Sequence, residues 1–282
     1  MAFFQYSPLE GDEIRLLILS SRSSGPLRIS IKTEKLSSSH RPRYEALSYA
    51  WGSEESPCKI PVEDTRKHDG LQCRPKESRS GFGPSHGIDS CRVSKQSMPA
   101  PTLRQGTHRL CSTVSIPATA NLAQALPYLQ LETEERVLWI DAICINQGDL
   151  AERGQQVGRM ADIYKMATRV LIWLGPADRY TKVPTETLAR LAAEVEVNFV
   201  TAEASQARNA GLVSPLSFQK TTGKSVISLL ERPWFERLWV WQEAWANPDN
   251  SIVLAGEYSI PWNAIRKFLM SLHLLPRDFT AE

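Results

Sequence analysis

The chain has no long hydrophobic segment and very little net charge. In its 282 residues, no apolar run reaches the roughly 18 residues that a transmembrane helix needs. The formal net charge of +2 provides no strong field to attract nucleic acid or a membrane surface. The composition therefore predicts a protein that binds neither of them.

Features of secreted proteins are also absent. The five cysteines form no paired framework, and no Asn-x-Ser/Thr glycosylation sequon occurs. The amino-terminal sequence MAFFQYSPLEGDE becomes acidic too early for a signal peptide. These features favour a reducing, cytoplasmic location.

The amino-terminal part of the chain predicts three β-strands. Residues 13–20 and 27–36 alternate apolar and polar positions around the turn SRSSGP, which is typical of a β-hairpin. The sequence YEALSYAWG, residues 44–52, predicts a third strand that ends at Gly52.

Residues 63–112 differ in composition from the rest of the chain. They contain 7 Ser, 5 Gly and 4 Pro but one aromatic residue, Phe82. Such a segment cannot bury enough apolar surface to offset its ordering entropy, which predicts a disordered insertion. A mistranslated gene segment is the alternative. Its cysteines and histidines include no Cys-x-x-Cys pair, so no metal site is predicted, and the close pair His108 and Cys111 is the weaker alternative.

Residues 136–175 contain the clearest supersecondary pattern. The apolar run RVLWIDAICI (136–145) predicts a buried strand, and TRVLIWLG (168–175) predicts another. Between them, residues 149–167 have helical periodicity, with a capping box formed by Asp149 and Glu152. A strand, helix and strand with short connections predict parallel pairing.

The remaining patterns complete an α/β fold with a mixed, partly parallel sheet and flanking helices. A small hairpin is predicted at 251–262. Helices are predicted at 119–129, 184–208, 223–231, 232–245 and from 261 onward.

The segment RPWFERLWVWQEAW, residues 232–245, has five Phe or Trp among its fourteen residues. Helical spacing places Trp234, Leu238, Trp241 and Trp245 on one stripe, with Glu243 at the edge of the apolar arc. In the favoured interpretation, Glu243 is a boundary residue that faces water. In the alternative, aromatic walls desolvate Glu243 in a cleft and raise its pKa.

The segment IDAICINQGD lies at the carboxyl end of a predicted parallel strand, at the sheet edge where α/β proteins bind ligands. Asp141, Asn146, Gln147 and Asp149 could form hydrogen bonds to a ligand there. Asn146 and Asp149 are equally typical of a turn and a helix cap. Cys144 has no His nearby in the sequence and is predicted to be a buried residue rather than a nucleophile.

Three blocks together resemble the fungal heterokaryon incompatibility (HET) domain. They are YEALSYAWG, LWIDAICINQGDLAERGQQVGRMADIYKMATRVLIWLG and RPWFERLWVWQEAWA, in the family's order. The resemblance covers residues 44–262, apart from the insertion and residues 184–228, and implies a single HET-type domain over 1–282. It also implies a role in self/non-self recognition between hyphae. In the family, a sensor or a partner protein activates the domain to trigger programmed cell death.

HET domains are in turn similar to Toll/interleukin-1 receptor (TIR) domains, which have a flavodoxin-like fold. Some TIR domains cleave NAD⁺ with a helix-borne Glu beside a Trp-rich segment. This distant resemblance implies NAD⁺ as a substrate, no cofactor and no metal. It assigns Glu243 the catalytic role. The residues expected to bind the substrate are Tyr49, Trp51, Asp141, Asn146, Trp234 and Trp239.

Two classes of function therefore remain open. In the first, the chain is an NAD⁺-cleaving effector. In the second, it is a non-enzymatic signalling module that acts by assembly with an incompatibility sensor or with further copies of itself. A formed cleft around Glu243 favours the first class, whereas Glu243 in bulk solvent beside a flat apolar patch favours the second.

Overall fold

The computed structural model describes residues 3–53, 58–63, 114–206, 220–238 and 240–272. The predicted insertion, apart from Glu63, lies outside the described residues, and so does Trp239. Within the described ranges, none of the helices is both long and apolar enough to cross a membrane.

Nine strands of the described chain form one sheet in the order β11-β10-β7-β3-β6-β1-β2-β4-β5. The strands β8 and β9 form a separate hairpin. The strands are β1 (Glu13–Leu19), β2 (Ile29–Lys35), β3 (Glu45–Tyr49), β4 (Cys58–Val62), β5 (Val114–Ala118), β6 (Arg136–Trp139), β7 (Arg169–Trp173), β8 (Val195–Asn198), β9 (Glu203–Gln206), β10 (Ile252–Ala255) and β11 (Tyr258–Pro261). The helices are α1 (Ala120–Leu129), α2 (Asp141–Cys144), α3 (Leu150–Gly158), α4 (Met160–Met166), α5 (Lys182–Glu194), α6 (Lys220–Leu230), α7 (Val240–Ala246) and α8 (Trp262–Met270).

Four neighbouring strands, β10, β7, β3 and β6, are parallel, whereas β1 and β11 border them in antiparallel orientation. The predicted α/β class with a mixed, partly parallel sheet is confirmed. The strands β6 and β7 are parallel as predicted, but β3 lies between them rather than beside only one of them. The crossover from β6 through α2, α3 and α4 therefore passes over β3. The carboxyl ends of the parallel neighbours β6, β3 and β7 lie at the same edge of the sheet.

The predicted amino-terminal hairpin is confirmed as β1 and β2, paired from Glu13 with Lys35 to Leu19 with Ile29. Its first strand is more buried than the alternating pattern indicates, because β1 lies inside the sheet between β2 and β6. The side chains from Ile14 to Leu17 are all buried. Arg15 is therefore a charged residue in the interior.

The strand predicted at 136–145 is too long. It ends at Trp139, and the short helix α2 follows, in which the backbone amide of Cys144 donates to the carbonyl of Ile140 at 2.7 Å. The turn of helix lets the chain leave the sheet directly after β6. It also places Asp141 at the sheet edge.

The helix predicted at 149–167 is two helices, α3 and α4, which meet at Arg159. The guanidinium of Arg159 donates to the carbonyls of Gly11, Asp12, Glu13 and Leu36 at 3.1 to 3.2 Å. These bonds hold the junction against the start of the β1–β2 hairpin. Gly154 and Gly158 also weaken helix propensity before the junction.

The helix predicted at 184–208 is wrong beyond Glu194, where α5 ends. The following residues form the β8–β9 hairpin, whose turn contains Ala202 at a positive φ of 58°. The sequence of β8, VEVN, alternates β-branched and polar residues, which suits a half-exposed strand better than a helix.

The helix predicted at 232–245 is also wrong in its first half, because α7 begins only at Val240. The preceding residues form an irregular segment held by side chains. Arg232 donates to the carbonyl of Pro176 at 2.9 Å, and the Trp234 indole donates to Ser48 Oγ at 2.8 Å. The predicted common stripe therefore does not form, since Trp234 is 1% exposed and Leu238 is 82% exposed.

Candidate functional site

The carboxyl ends of the central parallel strands meet beside α7. Trp51 follows β3, Asp141 follows β6, and Glu243 lies in the first turn of α7. The helix α7 packs against α4 and against β3 and β7. The topology thus brings together three residues that are far apart in the sequence.

These residues line a cavity of about 510 Å³. That volume falls within the range of small-molecule binding sites in proteins. The walls combine apolar side chains with two carboxylates, two guanidinium groups and two amides. The lining residues are Trp51, Asp141, Ile145, Gln147, Arg153, Val157, Gly158, Met160, Ala161, Tyr164, Arg237, Gln242 and Glu243.

Asp141 is a buried and fixed carboxylate at the cavity wall. Its Oδ2 accepts a hydrogen bond from the Trp51 indole at 3.0 Å, and its Oδ1 accepts one from the backbone amide of Ala142 at 2.7 Å. Burial, together with the negative charge of Glu243, raises the pKa of Asp141 to about 6, although these two donors and Arg237 oppose the increase.

Glu243 is only 5% exposed, so the favoured interpretation of a water-facing glutamate is wrong. Burial raises the pKa of Glu243 above its ordinary value. The hydroxyls of Ser48 and Tyr164 and the positive charge of Arg237 oppose that increase. The helical spacing placed Glu243 at the edge of the apolar face of the helix. In the structure, that edge of α7 faces the cavity rather than solvent.

Arg237 is a positive charge that acts on both carboxylates, and it was not predicted from the sequence. Its guanidinium donates to the backbone carbonyl of Tyr49 at the end of β3, and its positive charge opposes the rise in the pKa of both Asp141 and Glu243. A lone arginine between aromatic residues in FERLW is a signal for such a role, because a charge in an apolar segment requires a partner.

Three of the predicted binding residues do not line the cavity. Tyr49 and Trp234 are each 1% exposed, and the Trp234 ring packs edge-on against Phe235 and Trp262. Asn146 uses its side-chain oxygen to accept the backbone amide of Gly148 at 3.2 Å, which is its turn role. Gln147 lines the cavity in its place.

The loop that carries Asp141 and Gln147 is supported by a buried ion pair between Arg15 and Glu152. The guanidinium of Arg15 donates to both carboxylate oxygens of Glu152, at 2.6 and 3.0 Å, and to the carbonyl of Cys144 at 3.1 Å. Glu152 Oε1 also accepts the backbone amide of Asn146 at 2.8 Å. This pair was not predicted from the sequence, although a lone arginine in the apolar strand EIRLLIL indicates it.

The predicted capping box at the start of α3 is half correct. The Asp149 side chain accepts the backbone amides of Ala151 and Glu152 at 2.9 and 3.1 Å, as a cap does. The Glu152 side chain faces Arg15 instead of returning to the Asp149 amide, because the buried guanidinium needs a counter-charge. Cys144 is buried as predicted, and burial raises the pKa of its thiol to about 12.

The cavity is suited to chemistry on a positively charged or hydroxyl-bearing centre. Two buried carboxylates can accept hydrogen bonds from hydroxyls and stabilise developing positive charge. Tyr164, whose hydroxyl donates to the carbonyl of Leu47 at 3.0 Å, closes the inner wall. Among the described residues, no group of three His, Cys, Asp or Glu side chains is arranged to hold a metal ion.

Fold and site together define an α/β domain with a largely apolar cavity that contains two buried carboxylates, at the carboxyl edge of its parallel strands. The family model described as heterokaryon incompatibility protein (HET) matches residues 44–243. The chain therefore belongs to the HET family, as the three sequence blocks indicated.

The chain is also similar to heterokaryon incompatibility protein 6, OR allele, of Neurospora crassa. The two sequences are 28% identical over 223 residues, which cover 72% of this chain and 27% of the relative. This chain thus spans about a quarter of the length of that relative. No solved structure matches this chain.

Proposed function

We propose that this chain is a heterokaryon incompatibility effector that triggers programmed cell death by cleaving NAD⁺. Membership of the HET family and the similarity to heterokaryon incompatibility protein 6 support the incompatibility role. The observation that carries the enzymatic part is a formed cavity in which Glu243 and Asp141 are both buried. A sensor protein or a second copy of the chain activates it in the cytoplasm.

The proposed reaction breaks the bond between the nicotinamide nitrogen and C1′ of the ribose. The bonding electrons leave with nicotinamide, which departs as a neutral base, and C1′ acquires oxocarbenium character. The Glu243 carboxylate stabilises that positive charge and holds the ribose hydroxyls. A water oxygen then bonds to C1′ and releases its proton to solvent, which yields ADP-ribose.

The other groups of the cavity orient the substrate and the carboxylates. Asp141, fixed by Trp51 and the Ala142 amide, accepts a hydrogen bond from the substrate. Arg237 favours the ionised form of Glu243, because its positive charge opposes the rise in the pKa that burial causes. The ring of Trp51 forms part of the wall against which the substrate packs.

The decisive experiment measures NAD⁺ in cells induced to express the native chain or Glu243→Gln. We expect rapid NAD⁺ loss with the native chain and a reduction of at least about a hundredfold in the rate with Glu243→Gln, the size typical of losing one transition-state contact. The matched control is Glu236→Gln, which alters an exposed glutamate of the same segment and leaves NAD⁺ loss unchanged.

Retained turnover in Glu243→Gln would contradict the assignment of the catalytic residue. Cell death from both the native chain and Glu243→Gln, at constant NAD⁺, would contradict the enzymatic proposal. That outcome would instead favour signalling by assembly and recruitment of partners.

A further inference from the structure

The two arginines of the cavity differ in what they contact. Arg237 donates to the Tyr49 carbonyl, and its charge acts on both buried carboxylates. Arg153 lies on α3, is exposed, and lines the same cavity. Across the part of the chain that the structure describes, the Arg153 guanidinium has neither a hydrogen-bond partner nor an ion-pair partner.

The surroundings of Arg153 leave room for a ligand. Gly154 and Gly158 lie on the same helix, and a Cβ added at either of them would meet no heavy atom within 4 Å. Gly158 itself lines the cavity. The surface next to Arg153 is therefore bare backbone, which a bulky anionic group can approach closely.

Charge is thus distributed unevenly across the cavity. The carboxylates of Asp141 and Glu243 are buried, whereas the Arg153 guanidinium is exposed on α3. A ligand that satisfies both regions has hydroxyls or a positive charge at one end and an anionic group at the other. Apolar walls from Ile145 and Met160 accompany these polar groups.

We propose that Arg153 is the phosphate-binding residue of this cavity and that the ligand is a nucleotide. A guanidinium binds phosphate oxygens with two parallel hydrogen bonds, and among the described residues no protein group occupies the donors of Arg153. The sugar of the ligand then lies toward the carboxylates. This orientation rests on the proposed function, whereas the phosphate contact does not.

The test compares two ligands that differ in their phosphates. NAD⁺ carries a pyrophosphate, and nicotinamide riboside carries none. Their dissociation constants are measured by calorimetry with Glu243→Gln, which prevents turnover, alone and combined with Arg153→Gln. We expect Arg153→Gln to weaken NAD⁺ binding about tenfold or more and to change nicotinamide riboside binding less than about twofold.

Arg190→Gln is the matched control, because Arg190 is an exposed helical arginine of α5 that pairs with Glu194 and does not line the cavity. It should leave both dissociation constants unchanged. Raising the salt concentration should weaken NAD⁺ binding more in the chain with Arg153 than in Arg153→Gln, because the contact is exposed.

Binding of inorganic pyrophosphate tests the phosphate site independently of NAD⁺ cleavage. Binding of pyrophosphate that depends on Arg153, without any NAD⁺ turnover by the native chain, would support the phosphate site and contradict the NAD⁺-cleaving function. Turnover of NAD⁺ with the same KM in the native chain and in Arg153→Gln would overturn the phosphate site and leave the function intact. No binding of either NAD⁺ or pyrophosphate would overturn the phosphate site as well.

Discussion

At the scale of single residues, Asp141 shows that a carboxylate buried in the cavity wall makes stability depend on pH. Its carboxylate lies in the interior beside another carboxylate, and burial raises its pKa from 3.8 to about 6. A raised pKa means that the folded state binds the proton more tightly than the unfolded chain does. The stabilisation is present at low pH and is lost as the pH rises through about 6.

Replacing Asp141 by Asn should remove this pH dependence. A shift from 3.8 to about 6 corresponds to about 3 kcal/mol of unfolding free energy, lost between about pH 3 and pH 7. We therefore expect the native chain to lose about that much stability, relative to Asp141→Asn, over this interval. Urea denaturation of both proteins at closely spaced pH values measures the difference.

The control for this prediction is Asp162→Asn, since Asp162 is an exposed aspartate on the neighbouring helix α4. Its stability should follow the native pH profile. A constant difference between the native chain and Asp141→Asn at all pH values would show that Asp141 titrates normally.

At the scale of elements, arginine side chains organise segments whose backbones are irregular. Arg159 fixes the junction between α3 and α4, and Arg232 and Arg237 hold the chain before α7 to the ends of β7 and β3. Arg15 holds the loop after β6 through Cys144. Short helices and turns around the cavity thus gain fixed positions from contacts across the molecule rather than from their own propensities.

The pair Arg15–Glu152 is the most buried of these contacts, with side chains 2% and 8% exposed. Glu152→Gln leaves a buried guanidinium without its counter-charge and should lower the unfolding free energy by about 3–5 kcal/mol. Arg15→Met should have a comparable effect. Both changes break the same interaction. The loss of unfolding free energy in the double variant should therefore be smaller, by more than about 1 kcal/mol, than the sum of the losses in the two single variants.

Chemical denaturation of the four proteins in this double-mutant cycle gives the coupling energy. The same cycle on the exposed pair Arg190–Glu194 of α5 is the control, for which about 0.5 kcal/mol or less is expected. Equal coupling energies for the two pairs would mean that the burial of Arg15 and Glu152 does not strengthen their interaction.

The sequence predicted elements best where local pattern and packing agree. The β1–β2 hairpin, β7 and α6 lie close to their predicted positions, because their apolar patterns agree with how they pack in the fold. Prediction failed where a distant contact overrides local preference. The segment before α7 has helical spacing, but the Trp234 indole bonds to Ser48 and thereby holds the backbone out of a helix.

For the site, the sequence identified the two carboxylates and Trp51 but not their environment. Asp141 follows an apolar strand and Glu243 lies in an aromatic segment, so local sequence was sufficient to find them. Their burial depends on β3 lying between β6 and β7 and on α7 packing over that edge. Arg153 and Arg237 belong to the cavity only because of this topology.

At the scale of the whole molecule, strands from both sides of the matched region enter one sheet. The HET family model matches residues 44–243, but β1 and β2 precede it and β10 and β11 follow it. The antiparallel pairing of β1 with β6 makes the amino-terminal hairpin part of the core. The buried apolar residues of these strands belong to one core cluster in the described part of the chain. The single domain over 1–282 stays a prediction.

The pairing of β4 with β5 in this sheet bears on whether the fold needs the segment predicted as an insertion. Val62 at the end of β4 pairs directly with Val114 at the start of β5, so the two ends of that segment are neighbours across an antiparallel ladder. These two strands lie at one end of the sheet, and β1 and β2 separate them from β6. A two-residue turn can therefore replace residues 64–112.

We expect a variant in which Asn-Gly replaces residues 64–112 to fold and to keep the ligand affinity of the native cavity. Asn-Gly is the preferred sequence for a tight hairpin turn, and the retained Glu63 keeps its backbone bond to the Ile29 carbonyl at 2.8 Å. A shorter loop costs less closure entropy, so the unfolding free energy should rise by up to about 2 kcal/mol. Denaturation and NAD⁺ binding, compared with the full chain, measure both quantities. Loss of cooperative unfolding would show that residues 64–112 form part of the folded core, and loss of binding alone would place them in the ligand site.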